Sequence, residues 1–397
     1  MNYTKYKKGL VIEIVLLLVG AIFVPIIECY SKSLDDEFVQ KIMELMDFGH
    51  MPSLVACIIK NNSIAWNKSY GIYDIKKNKS ASLDIVYPIA SVSKSVAATA
   101  IMILNESGLI GLDDNISEYL PFDLKNPNFP DINITFRMLL AHQSSLSDTI
   151  IRFSILFSFL RIPYEKMDLY FTPGKLLYKQ NIWNHYPPGE NVCYSTVGFE
   201  VIGYLVEQIT GQPFDEFCKK NIFEPLDMMN TSYRFGDFDK DKLAVPYMWY
   251  FGRYLRLPFI QTRMFAGGGV KTTVLNLAHF LIMHTTGGIY NGKRILNESS
   301  VEEMHRSQYN NSYDGIFLHG LGWYFNESSD GEILGGHGGD AIGCRAVMKM
   351  RYSDKVGVIY FWNQNKWIQL HYNKIPDVER DARRLIEEAL FEKADKL

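Results

Sequence analysis

Apolar and polar positions change their period several times along the 397 residues of this chain, and each change predicts a different element. Residues 35–48 predict a helix, and residues 54–60 and 63–73 predict two strands. Residues 95–104 are apolar on nearly every side and rich in alanine, the pattern of a buried helix, with Gly108 as its stop. Residues 135–142 and 198–210 predict further helices, the second closed by Gly211. The pattern returns to strand at residues 333–334, 345–350 and 355–362, and residues 378–390 predict a last helix. Strands at both ends with helices between them predict an α/β plus all-α fold. It is an antiparallel sheet flanked by helices, with a helical lobe over about residues 91–234 inserted into the α/β lobe of a unit spanning 32–397.

Three short motifs bring chemistry to this frame: Ser91-Val92-Ser93-Lys94, Tyr194-Ser195-Thr196 and His337-Gly338-Gly339. A serine hydroxyl is a poor nucleophile at neutral pH and needs a base, a second proton-handling group and donors for an oxyanion. Ser91 and Lys94 are three positions apart, so on a helix they share a face. Ser91 is expected in the first turn of the buried helix, where the dipole favours negative charge. Tyr194 is the candidate second relay member, because a neighbouring cation lowers a phenol's proton affinity.

The motifs stand in a longer ordered series. It includes Leu139-Leu140-Ala141-His142, Pro187-Pro188-Gly189-Glu190 before Tyr194, Ala266-Gly267-Gly268-Gly269-Val270 and Gly320-Leu321-Gly322-Trp323. In that order, over roughly residues 35 to 365, the chain resembles the serine β-lactamase-like family, which includes class C β-lactamases, low-molecular-weight DD-peptidases and related esterases. The resemblance implies a β-lactamase/transpeptidase-like fold with its site between two lobes. It implies Ser91 as nucleophile, Lys94 and Tyr194 as proton relay, and the backbone N–H groups of Ser91 and Asp340 as oxyanion hole.

Two positions depart from the family pattern. Thr196 stands where β-lactamases usually have Asn, and His337-Gly338-Gly339 stands where many members have Lys-Thr-Gly. The cation and hydroxyl that recognise a penicillin carboxylate are thereby replaced by a titratable imidazole and by nothing. An acidic side chain at Asp340 is also unexpected. These features favour a serine hydrolase acting on an ester or amide over a β-lactamase or DD-peptidase proper. Retention of Ser91, Lys94 and Tyr194 disfavours a catalytically silent scaffold.

Composition sets the remaining bounds. Hydrophobic residues make up 47% of the chain, enough for a sizeable core, and a net charge of −3 offers no stripe for nucleic acid. The five cysteines have no paired spacing and the nine histidines no His-Glu-x-x-His, so neither a disulfide framework, a metal nor another cofactor is expected. Lys5, Lys7 and Lys8 precede an apolar stretch over 9–27 broken only by Glu13. It reads as a signal peptide or membrane anchor over 1–31 that would place the domain outside the cytoplasm. The aromatic-aliphatic run Phe153, Ile155, Leu156, Phe157, Phe159 and Leu160 suggests a packed helix, with a lid or a membrane contact as the alternatives. The expected partners are a small-molecule, peptide or ester substrate and, through the N-terminal segment, a membrane.

Overall fold

The structure, a computed structural model, describes residues 34–148, 167–261, 265–309, 318–328, 330–365 and 377–397. The N-terminal apolar stretch and the run over 153–160 lie outside the described residues. Among the described residues no helix is long and apolar enough to cross a membrane.

The described residues form fifteen strands, in chain order β1 (Ser53–Lys60), β2 (Ser63–Asp74), β3 (Lys79–Ser80), β4 (Tyr87–Pro88), β5 (Thr231–Ser232), β6 (Tyr247–Tyr250), β7 (Arg253–Arg256), β8 (Lys271–Thr272), β9 (Ile289–Tyr290), β10 (Lys293–Arg294), β11 (Leu318–His319), β12 (Tyr324–Glu327), β13 (Ile333–Ala341), β14 (Cys344–Arg351) and β15 (Gly357–Trp362). Eight of them form one antiparallel sheet in the order β11-β12-β13-β14-β15-β1-β2-β3. The first strands of the chain therefore pair with the last, as strands at both ends of the sequence predict.

Burial explains why the central strands lack a clean alternation. In β15, Ile359 and Phe361 face the main core, into which Leu281 of the Val274–Thr285 helix also packs. Tyr360, on the other face, donates its hydroxyl to Arg383 O of the C-terminal Asp377–Asp395 helix. Both faces are covered, so β15 and β1 are buried nearly end to end and read as continuous apolar runs. The helix predicted over 95–104 forms as Ser93–Glu106, almost wholly buried, and Gly108 follows it with a φ of 73°. The helix Thr196–Thr210 ends at Gly211 in the left-handed region, as its sequence predicts.

Two elements differ from the sequence pattern. Ser91 lies in a single 3-10 turn, Ala90–Val92, ahead of the α-helix rather than in its first turn. Ala90 interrupts the helix there with a φ of 45°, a conformation that alanine adopts only under constraint. β13 extends over nine residues, whereas residues 333–334 alone read as strand. Its four glycines leave no side-chain pattern to read, yet close approach requires them: a Cβ on Gly336 would lie 2.0 Å from Met348 O of β14.

Candidate active site

The turn bearing Ser91 is held from two sides. Ile89 N–H donates to Val270 O at 3.0 Å, and Val270 N–H donates to Ser93 Oγ at 3.0 Å, which fixes the turn to β8 and its approach. On the other side runs β13, where a Cβ on Gly339 would fall 2.0 Å from Ile89 O and 3.1 Å from Ser91 N. A strained residue held by its surroundings, directly before the serine, is the kind of outlier found where a chain aims a reactive group.

Lys94 occupies the core of the arrangement and is wholly buried. Its Nζ donates to Ser91 Oγ at 3.1 Å and to Gly267 O at 2.6 Å. The same nitrogen lies 4.9 Å from the centre of the Tyr194 ring, so the three residues singled out by the sequence are brought together. Burial pushes the Lys94 amine down to about 8, against the opposing pull of the Asp148 and Glu200 carboxylates. A lysine in that range can exchange a proton with a hydroxyl near neutral pH.

The two carboxylates were not legible as site residues. Glu200 Oε1 accepts the Gly267 N–H at 2.8 Å and so positions the segment whose carbonyl receives Lys94. The gap is tight, since a Cβ on Gly267 would meet Thr196 Cγ2 at 2.5 Å and Glu200 Oε1 at 2.8 Å. The sequence carries one signal for Glu200, the one charge within the apolar stretch 197–206 of the helix that starts at Thr196. Asp148 accepts the Val197 N–H at 3.0 Å and also hydrogen bonds with Thr196, while burial raises its proton affinity. Thr196 thus sits at the head of its helix, capped by Ser195, whose side chain accepts the Gly198 N–H.

Three histidines complete the surroundings. His142 packs tilted against Tyr194 with ring centres 4.4 Å apart, His319 meets His142 edge-on at 5.3 Å, and His337 lies 6.2 Å from Tyr194. His142 Nδ1 accepts the Ser195 N–H at 3.0 Å, which places the proton of the neutral ring on Nε2. Burial holds His142 far below the ordinary imidazole range, His319 at about 4 and His337 at about 3. His142 appears in the sequence series without a role there, and nothing in the sequence marks His319.

In the third motif His337 is buried, burial holds its imidazole down at about 3, and its Nδ1 lies 2.7 Å from Gly338 O, so Nδ1 donates and Nε2 keeps its lone pair. The place of a lysine is therefore taken by a hydrogen-bond acceptor. Asp340 is explained by a partner: its Oδ1 lies 2.9 Å from Arg345 Nε, and Arg345 also pairs with Glu379. Successive side chains of a strand point to opposite faces, so Asp340 points away from the face on which Gly339 meets Ser91. A Cβ on Gly338 would contact only the Tyr324 hydroxyl, at 3.1 Å.

Gly339→Ala should separate β13 from the Ser91 turn. We expect kcat/KM on an activated ester to fall at least about a hundredfold, as misplacement of about an ångström does in other sites. Near-native activity of that variant, measured with a chromogenic ester, would contradict the close approach of the two elements.

The sequence pattern of the Beta-lactamase family matches residues 38–377. Protein flp of Staphylococcus aureus (strain NCTC 8325 / PS 47) is 27% identical over 210 residues, covering 50% of this chain and 38% of that protein. The chain thus spans well under half the length of this relative. Among solved structures, the octameric penicillin-binding protein homologue from Pyrococcus abyssi superposes with a TM-score of 0.71 at 25% identity, over 82% of this chain and 73% of its own. The D-amino acid amidase from Ochrobactrum anthropi SV3, complexed with L-phenylalanine amide, gives a TM-score of 0.69 at 20% identity, over 90% of this chain and 99% of its own, a likeness of fold.

Proposed function

The chain belongs to the beta-lactamase family, and from that premise we propose that it is a serine hydrolase working through an acyl-enzyme on esters or amides that need no carboxylate recognition. One observation carries this reading: the buried Lys94 amine, held to about 8, donates to Ser91 Oγ at 3.1 Å. In its neutral form Lys94 takes the hydroxyl proton as Oγ bonds to the carbonyl carbon. The backbone N–H groups of Ser91 and Asp340 hold the oxyanion. The proton then passes, with Tyr194 in the relay, to the departing alcohol or amine. Water repeats the sequence on the acyl-enzyme, releases the acid and restores Ser91. Every step uses the chain's own groups.

Substrate preference follows from the third motif. A substrate carboxylate is best held by a fixed cation and a hydroxyl, and this site offers a neutral imidazole and a glycine. A neutral ester has no such requirement and loses nothing. Intact-mass analysis after exposure to a fluorophosphonate and, separately, to a penicillin tests the reading. The expected result is an adduct at Ser91 with the fluorophosphonate and none, or a far slower one, with the penicillin. Rapid adduct formation and turnover with the penicillin would return the protein to the β-lactamase or DD-peptidase class. No adduct with either compound would make it a silent scaffold.

The N-terminal basic and apolar segment supports a second part of the proposal, that the domain is exported and stays outside the cytoplasm. Protease added to spheroplasts should then cleave the chain beyond Lys32, and a protected domain would overturn export.

A further inference from the structure

We propose that the β6–β7 hairpin is a docking surface for an anionic lipid bilayer. β6 and β7 form a two-stranded sheet of their own, with Tyr247 opposite Arg256, Met248 opposite Leu255, Trp249 opposite Tyr254 and Tyr250 opposite Arg253. Directly opposed residues share a face. The inner face carries Trp249 and Tyr254, whose rings lie 4.7 Å apart, and Trp249 stacks on His50 at 4.2 Å. That stacking fixes the hairpin to the body of the protein.

The other face and the tip carry the anomaly. An exposed antiparallel face is ordinarily polar, whereas here Met248 and Leu255 are half-buried and Tyr250 and Arg253 are exposed. At the tip stands Phe251, 84% exposed, with Tyr250 beside it at 49% and ring centres 4.3 Å apart. The turn residues Phe251 and Gly252 have φ values of 46° and 75°, the two positive angles of a tight hairpin turn that favours Asn or Gly at its first position. A bulky aromatic there is both sterically penalised and left in water, so the folded protein gains nothing from it. Arg253, beside the tip, and Arg256, at the open end of the hairpin opposite Tyr247, are both exposed, and among the described residues neither forms an ion pair.

Exposed aromatic rings at the tip, with Arg253 beside them and Arg256 farther along the same strand, suit the headgroup layer of an anionic membrane, where rings lie at the apolar boundary and guanidinium groups meet lipid phosphates. A protein partner is the less favoured occupant: a hairpin of this size buries much less than the roughly 1,000 Å² a specific protein interface requires. Docking here would act on the folded domain itself, independently of any anchoring by the N-terminal segment.

Hydrogen exchange of the full chain, read on peptides covering residues 247–256, tests the proposal. The protein is compared in buffer, with vesicles of phosphatidylcholine alone, and with vesicles of phosphatidylcholine and phosphatidylglycerol. Exchange at the tip should slow several-fold with the mixed vesicles and much less with the neutral ones. The double substitution Tyr250→Ser with Phe251→Asn should abolish that protection while leaving ester hydrolysis unchanged, and Asn suits the turn, so unfolding would not account for the loss. Arg253→Glu with Arg256→Glu should abolish it as well. Equal exchange with and without vesicles would overturn the proposal, as would protection that survives both pairs of substitutions. Protection that appears without lipid and grows with protein concentration would assign the surface to a second copy of the chain instead.

Discussion

Ser91→Ala should reduce turnover of an activated ester on the order of 10⁴-fold or more while the protein stays folded. The hydroxyl forms the covalent bond in the proposed reaction, and its removal takes one polar atom from a half-buried position. Lys94→Met should be nearly as severe. Methionine keeps most of the buried volume, so the loss would report the amine rather than a cavity. Combining the two should add little, because members of one catalytic unit do not contribute independently. The pH profile separates base from scaffold. Burial lowers the Lys94 amine to about 8 and the neutral form is the reactive one, so kcat/KM should rise with pH and level off above that value. Circular dichroism and thermal melting of the variants, alongside ester kinetics, check the whole set. A Ser91→Ala protein that retained most of its activity would remove the serine from the mechanism.

How far the sequence discloses this arrangement depends on what each residue's role rests on. The sheet and the buried helix after Ser91 were legible because long apolar runs survive wherever both faces of an element are covered, as at β1, β15 and Ser93–Glu106. Ser91 and Lys94 were legible because their spacing is local, and the 3-10 turn shifts the serine without breaking its 3.1 Å contact. β13 was legible only at its start, since glycines carry no periodicity. Asp148 and His319 reach the site through tertiary contacts alone, and no local pattern marks them. The protonation of His337 was not legible for a related reason: proton affinity is set by burial and by the neighbouring Lys94, neither of which a motif contains. Asp340 looked anomalous until Arg345, five residues on across the β13–β14 turn, supplied its partner.

The protein should lose a substantial part of its stability between pH 7.5 and pH 5. Four buried histidines and one half-buried one are held below the ordinary imidazole value: His142, His319 and His337 around the site, and His284 with the half-buried His305 away from it. The last two stack on one another at 5.1 Å and pack tilted against Trp323 at 4.7 and 4.3 Å, and among the described residues neither His284 nitrogen nor His305 Nε2 has a hydrogen-bond partner. A histidine with a depressed value in the folded state binds fewer protons there than in the unfolded chain. Its contribution is therefore complete above about 6.5 and drains away as pH falls toward the folded value. For His305 and His337 at about 3 and His319 at about 4, the loss by pH 5 is about 2 kcal/mol each, on the order of 6 kcal/mol together. That is comparable with the whole stability of an ordinary domain, about 5–15 kcal/mol. Guanidinium unfolding at pH 7.5 and at pH 5 should show the midpoint falling steeply. His305→Phe, which keeps a ring against Trp323, should flatten the dependence by close to one histidine's share. A midpoint unchanged across that interval would mean that these imidazoles exchange protons with water in the folded protein, and the buried, neutral histidine cluster around Lys94 would have to be abandoned with it.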